Sequence, residues 1–273
     1  MAVTVRAMTR EDIAGGLRLS RASGWNQLEE DWRLAIDPPS EGWVAERDGA
    51  IIGTSVLVRY GSLAWVAMML VDPAERRTGL GSRLLAEALA GTGNAQCVGL
   101  DATPAGEPLY RRAGFADAYM LVRAKITVDA TRFESTRKAR LMIAGDLESA
   151  CRMDCESIGA DRGRLLESLF RRAPECAWIV PGRGFCLGRP GFRYHQLGPV
   201  VAEDHSTARD LVSSCLAGLG GRTFAIDVPR ADDTWLAWLR DAGFIEERPF
   251  LRMFLRGDLP ARRLYGICGP EFA

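Results

Sequence analysis

The stretch that most constrains this chain is residues 66–90, VAMMLVDPAERRTGLGSRLLAEALA. An apolar run is followed by a polar turn and then by an amphipathic segment. Residues 64–71 are almost wholly apolar and too short to cross a bilayer, so they predict a buried strand. Asp72-Pro73 ends it, because proline has no N–H for a ladder bond. Leu80, Leu84, Leu85, Ala88 and Leu89 then return at helical spacing. Between strand and helix lies Arg76-Arg77-Thr78-Gly79-Leu80-Gly81-Ser82. Two glycines let the backbone come close to a ligand, and the first helical amides have no partner inside the helix. With two arginines beside them, the turn predicts an anion site, a phosphate foremost.

The flanking sequence predicts the elements around this unit. Residues 3–8 alternate as a strand and stop at Thr9, an N-cap type ahead of Glu11 and Asp12. Ile13, Leu17 and Leu19 mark a helix that Gly24 stops. Trp25-Asn26-Gln27 reads as a short exposed connection to a second helix at 28–36, closed by Asp37-Pro38-Pro39. Strands are predicted at 43–46, 51–59 and 97–102, with Asp48-Gly49 as a hairpin signal. Residues 107–113 predict a short helix with Gly114 as its C-cap, and residues 115–126 a last strand.

Composition removes several function classes. Lys+Arg and Asp+Glu are both 35, so nothing points to nucleic acid or to an anionic membrane surface. No run approaches the ~20 apolar residues of a spanning helix, and no signal-peptide core follows the N-terminus. A cytoplasmic protein is therefore expected. The seven cysteines are scattered, without a CxxC pair, and read as reduced core thiols. His195 and His205 belong to no metal spacing, so both read as non-catalytic and no metal is expected.

The order strand, two helices, three strands, helix, strand, helix, strand, with the glycine turn at its centre, resembles the GNAT N-acetyltransferase superfamily. Arg76-Arg77-Thr78-Gly79-Leu80-Gly81 matches that family's pyrophosphate motif, Arg/Gln-x-x-Gly-x-Gly/Ala. Pro108-Leu109-Tyr110-Arg111-Arg112-Ala113-Gly114-Phe115 looks like its Leu-Tyr-x-x-x-Gly-Phe signature. The likeness covers residues 3–126.

The second half looks like a worn copy of the first. Residues 224–228, FAIDV, parallel residues 98–102, VGLDA, and Asp241-Ala242-Gly243-Phe244 parallels Arg112-Ala113-Gly114-Phe115. Residues 140–143 restart as a strand, a helix follows from Asp146, and residues 197–202 stand where the central strand belongs. Leu211, Val212, Cys215, Leu216 and Leu219 supply the stripe of the next helix, and Trp235 and Trp238 read as core. The turn before that helix reads Glu203-Asp204-His205-Ser206, without glycines or arginines. Asp204 or Ser206 can cap the helix, and carboxylates there repel a pyrophosphate.

The resemblance therefore implies an α/β (α+β) fold of two GNAT-like domains, each a mixed, mostly antiparallel twisted sheet flanked by helices. It is similar to tandem enzymes that pair a GNAT domain with a GNAT-like C-terminal domain. Residues 1–130 are expected to form the catalytic domain and residues 138–273 a degenerate domain without a cofactor site. A lid of another fold is the alternative for the second half.

For chemistry the resemblance implies acetyl-CoA as co-substrate, entering between two strands that splay apart after the central one. Backbone groups of Met69, Leu70 and Val71 pair with the pantetheine arm, and an amide near Met69 stabilises the oxyanion. Amides from Arg77 through Thr78, Gly79, Leu80, Gly81 and Ser82 hold the pyrophosphate, with Arg76 and Arg77 adding charge. Tyr110 is the general acid for the departing thiolate, since a phenol of pKa ~10 lies close to a thiol near ~8.5. Thr103 falls where many relatives carry Asn. The central strand has no ionisable side chain to act as base, which leaves Asp101, Glu46 or a water wire. Asp101 has a structural alternative, capping the turn after its strand. Trp25, Asn26, Asp31 and Trp32 lie in the helix pair that covers the acceptor side in this family, where a carboxylate and an aromatic ring suit a cationic amine. The expected reaction is direct attack by a primary amine of a small molecule in a ternary complex, in a monomer or a homodimer. Acetylation of a protein lysine or N-terminus and a non-catalytic acyl-CoA sensor are the alternatives.

Overall fold

The apolar runs and amphipathic stretches of the first half become, in order, β1 (Thr4–Ala7), α1 (Ile13–Ala22), α2 (Glu29–Ile36), β2 (Glu41–Arg47), β3 (Ala50–Tyr60), β4 (Leu63–Val71), α3 (Leu80–Gly91), β5 (Cys97–Ala102), α4 (Glu107–Arg112) and β6 (Ala116–Thr127). The second half adds β7 (Arg140–Leu141), α5 (Leu147–Ile158), α6 (Gly163–Arg172), β8 (Trp178–Val180), β9 (Gly184–Arg189), β10 (His195–Ala202), α7 (His205–Leu216), β11 (Thr223–Pro229), α8 (Asp233–Asp241), β12 (Ile245–Arg256) and β13 (Leu264–Gly266). The computed structural model describes residues 2–129 and 131–273. Met1 and Ala130, the two ends of the first expected domain, lie outside the described residues.

The chain forms two compact units. The first comprises Met1–Asp117, Met253–Asp258 and Pro270–Phe272; the second comprises Ala118–Arg252, Leu259–Gly269 and Ala273. A cut near residue 130 follows the chain, whereas in space residues 118–129 lie with the second unit and residues 253–258 with the first.

In the first unit β1, β2, β3 and β4 are antiparallel neighbours, and β5 joins β4 in parallel. The 253–256 end of β12 follows β5. Apolar residues of α3 fill one face: Leu80 and Leu84 pack with Ala45 and Ile52, flanked by Trp43, Met69 and Val71. That packing fixes the start of α3 beside the end of β4.

The second unit repeats the plan. β7, β8, β9 and β10 are antiparallel, β11 is parallel to β10, and β6 lies antiparallel to β11. So β6, read from the first half, completes this sheet as the end of β12 completes the other. On one face Val122, Ala124 and Ile126 of β6 pack with Leu197, Phe224 and Ile226 under Leu211, Val212 and Cys215 of α7 and Trp235 of α8. On the other, Arg123 donates to both oxygens of Asp227 at 2.7 Å and to the Tyr194 hydroxyl at 2.5 Å, and Gln196 donates to the same carboxylate. Arg123 and Asp227 are direct cross-strand partners, so the antiparallel register makes the pair.

Some expectations are corrected. Asn26 and Gln27 are buried, so the connection between α1 and α2 is not exposed. Cys155 is exposed and Cys151 half-buried, because they sit on the outer side of α5; the other five thiols are buried. Helix α7 ends at Leu216, and Leu219 packs on the core from the turn beyond it.

Candidate functional site

The central strand β4 is where the first unit is irregular. Its register with β3 shifts between Thr54 and Val56: Thr54 faces Leu70, while Val56 faces Ala67. Met68 and Met69 together oppose Ser55, one residue in excess, and form a bulge. Met68 takes φ 49°, and its carbonyl accepts the Thr54 hydroxyl at 2.7 Å. A bulge bends its strand and raises the local twist.

Beside this bend β4 parts from β5. The parallel pairing runs Leu63–Cys97, Ala64–Val98 and Trp65–Gly99 and stops, although β4 continues to Val71 and β5 to Ala102. Gly99 sets the branching point. A Cβ there would fall 2.6 Å from the Trp65 ring and 2.7 Å from the Phe254 ring, so only glycine lets both rings cover the last pair. The Trp65 indole is held by a 2.9 Å bond to the Pro270 carbonyl. Past this point the β4 edge facing β5, from Val66 to Val71, is outside the ladder and can take an extended chain as an added strand. Met69, Leu70 and Val71 lie on it, with Met69 and Val71 half-buried.

The turn after β4 supplies the next part. Asp72 accepts the Ala74 amide at 3.1 Å and an Arg18 bond at 3.2 Å, and its carboxyl is held below the usual range by those bonds. Arg76 reaches back toward the Val71 carbonyl, 3.4 Å away, and the Thr78 hydroxyl donates to the Glu75 carbonyl at 2.7 Å. Arg77 takes φ 64° and Gly79 φ 87°. Glycine adopts that conformation without strain, which is why it stands at the cap of α3. The first helical bond runs from the Arg83 amide to the Gly79 carbonyl at 3.2 Å, so the amides of Leu80, Gly81 and Ser82 precede the helix's own ladder. Arg76, Arg77, Thr78, Gly79 and Ser82 are exposed. The arrangement can hold a diphosphate on backbone amides with two guanidinium groups beside them.

Tyr110 sits on α4, which the Thr103 carbonyl opens by accepting the Gly106 and Glu107 amides. Its ring packs edge-on against Phe115, centroids 6.0 Å apart, and burial pushes its phenol well above the ordinary value. It is therefore a neutral O–H donor throughout the physiological range. Asp101 is half-buried on β5, two residues past the last β4 pair.

Other candidates lie elsewhere. Glu46 is on β2, two strands from β5's side of β4, and accepts from Arg6 at 2.9 Å; Arg6 also holds Asp12, at 2.7 and 2.8 Å. That ion triad, which keeps the Asp12 carboxyl low, occupies Glu46 structurally. Asp31 is fully buried and accepts the Leu28 amide at 2.8 Å, so it caps α2. Trp32 is wholly buried, Asn26 buried and Trp25 half-buried. His205 pairs with Asp232 at 2.9 Å, and the ring of His195 lies against Phe224, centroids 5.1 Å apart.

The equivalent place in the second unit is filled. β10 also bulges, between Leu197 and Val200, and its parallel pairing with β11 also stops after three residues. Into the opening runs β13. It pairs with β10 at Val200 and Val201, its Arg263 carbonyl accepts the Ala202 amide at 3.0 Å, and the Ile267 amide donates to the Asp227 carbonyl at 2.9 Å. Gly198 is glycine because the Ile267 carbonyl occupies the space a Cβ would need. Asp204 caps α7 through the Thr207 amide at 2.8 Å. The cap was legible in the sequence; the strand in the cleft was not.

Comparison with known proteins gives the same architecture. Two family models, each described as an acetyltransferase (GNAT) domain, match residues 38–117 and 150–266. The chain is 25% identical to the uncharacterized N-acetyltransferase YitH of Bacillus subtilis, over 94% of each chain. It is 24% identical to the holothin acyltransferase of a Pseudoalteromonas strain, over 85% of this chain and 83% of that one. Among solved structures, a putative acetyltransferase from Pyrococcus horikoshii superposes with a TM-score of 0.84 at 22% identity, covering 99% of this chain and 96% of that one. A tandem GNAT protein from the clavulanic acid biosynthesis pathway gives 0.65 at 14% identity, covering 93% and 98%. The two family matches together take in more than half of the chain, one in each repeat of the fold, and on them the chain belongs to the GNAT acetyltransferases as a tandem-domain acyltransferase.

Proposed function

We propose that the first unit transfers an acetyl group from acetyl-CoA to a primary amine of a small molecule, by direct attack in a ternary complex. The observation that carries this reading is the parting of β4 and β5 after Trp65 and Gly99, directly upstream of the Gly79 turn. The β4 edge from Met69 to Val71 binds the pantetheine arm as an added strand. The amides from Arg77 to Ser82, with Arg76 and Arg77, bind the pyrophosphate. Thr103, at the end of β5, offers a hydroxyl beside the same opening.

Each chemical step then falls to a residue of this chain. A backbone amide at Met69, oriented by the bulge, stabilises the tetrahedral oxyanion; such a donor contributes about 3 kcal/mol. Tyr110 gives its proton to the departing thiolate. Burial keeps the phenol protonated and also makes it a weaker acid than an ordinary phenol, so the transfer requires that the thiolate be desolvated beside it. Asp101 takes the proton that the amine must lose before attack, directly or through water. Glu46 is not assigned this role, because Arg6 holds it.

The small-molecule acceptor is favoured by a relative named for a single acceptor, holothin. The test is a panel of amines, amino acids, polyamines and peptides incubated with acetyl-CoA and read by thiol release. Turnover of one class of small amine with inert peptides is the expected result. Selective turnover of peptides would replace this acceptor class. Uniform inactivity, with acetyl-CoA still raising the melting temperature, would leave binding without catalysis.

A further inference from the structure

The second unit has a cavity of about 390 Å³ at the end of β10, bounded by the end of α5 and the β8–β9 turn and closed by Arg262 and Arg263. We propose that this cavity binds a phosphomonoester of a small hydroxylated molecule.

Its position is the starting point. It lies after the central strand and before the helix that follows it, where the first unit has its glycine turn. The turn here carries Glu203 and Asp204 in place of arginines, but both acids are engaged: Arg183 bonds Glu203 at 2.9 Å and Asp204 at 2.6 Å. Positive charge arrives from another part of the chain. Arg262 and Arg263 precede β13, and their backbone is pinned on both sides. The Arg262 amide donates to the Ser157 carbonyl at 3.1 Å, the Ser157 hydroxyl donates to the Arg262 carbonyl, and Arg263 accepts from Ala202. Both side chains are exposed, and among the described residues neither guanidinium is in an ion pair. Two guanidinium groups outside any ion pair in the lining of one cavity are suited to a doubly charged phosphate, each able to give two parallel donors.

The rest of the lining limits the ligand. β13 fills the groove between β10 and β11, so no pantetheine arm can enter and CoA is excluded. Glu156, exposed on the α5 side, accepts from hydroxyl groups and repels a second anionic centre. The volume falls in the ~300–1,000 Å³ range of small-molecule sites. A sugar phosphate and a nucleoside monophosphate share these properties.

The 273-residue chain, saturated with CoA so that the first unit is occupied, is titrated calorimetrically with AMP and with glucose 6-phosphate. Adenosine and glucose serve as phosphate-free controls. One phosphomonoester should bind per chain, and its affinity should fall at least tenfold in Arg262→Glu/Arg263→Glu, with CoA binding and melting temperature unchanged. Tighter AMP identifies a nucleoside phosphate, and tighter glucose 6-phosphate a sugar phosphate. The proposal is overturned if neither binds, if the phosphate-free controls bind equally, or if the double variant binds like wild type. The comparison of wild type with the double variant also holds without CoA, so its outcome is separate from that of the acetyl-CoA reading.

Discussion

Tyr110 is surrounded by protein and keeps its proton, and this has a measurable consequence. Its pKa is raised by desolvation, so the neutral phenol persists above pH 10, where a solvent-exposed tyrosine ionises. Tyr110→Phe should leave acetyl-CoA binding intact and lower kcat about 100-fold, the lower end of what a positioned acid contributes. The wild-type rate should show no fall from tyrosine ionisation up to about pH 10. Unchanged turnover in the variant, or a fall below pH 10 that the variant abolishes, would count against the role. Arg123 and Asp227 test a different matter, the cost of breaking a buried pair. Both are almost fully buried and joined by two 2.7 Å bonds. Arg123→Met leaves the buried carboxylate without its ion-pair partner, with the Gln196 bond remaining, and should destabilise by about 3–5 kcal/mol in urea unfolding, whereas adding Asp227→Leu should restore most of that. A double variant as unstable as the single one would refute the pairing argument.

At the scale of elements, the branching of β4 from β5 depends on Gly99. Gly99→Val would drive a side chain into the Trp65 and Phe254 rings and should cost roughly 1–3 kcal/mol of stability. It should also raise Kd for acetyl-CoA by closing or skewing the opening. Full stability and unchanged Kd would show that the branch does not depend on this contact. Much of this architecture is legible in the sequence. The buried strand, the glycine turn and the stripe of α3 are local signals, each set by side-chain period or by a backbone that needs positive φ. Asp204 is legible as a cap for the same reason. What is not legible depends on distant partners. β13 is three residues long, and nothing in Leu264-Tyr265-Gly266 announces that it lies between β10 and β11. Asp31 looks like a ligand for an amine until Leu28 is seen to use it. Glu46 looks like a base until Arg6 is placed beside it. Asn26 and Gln27, polar and between helices, look exposed, and tertiary packing covers them.

At the scale of the molecule, the chain carries the same strand plan twice, and the two copies differ at one place. In the first, the edge of the central strand is outside the ladder and leads into a turn of free amides and arginines. In the second, the chain's own β13 lies along the corresponding edge and Asp204 takes the helix cap. These differences predict one acyl-CoA cleft in a protein of two GNAT units. Calorimetric titration of the 273-residue chain with acetyl-CoA tests this, with Gly79→Val as the partner variant. One acetyl-CoA per chain in the wild type and none in the variant is the predicted result; two per chain, or one that survives Gly79→Val, would contradict it.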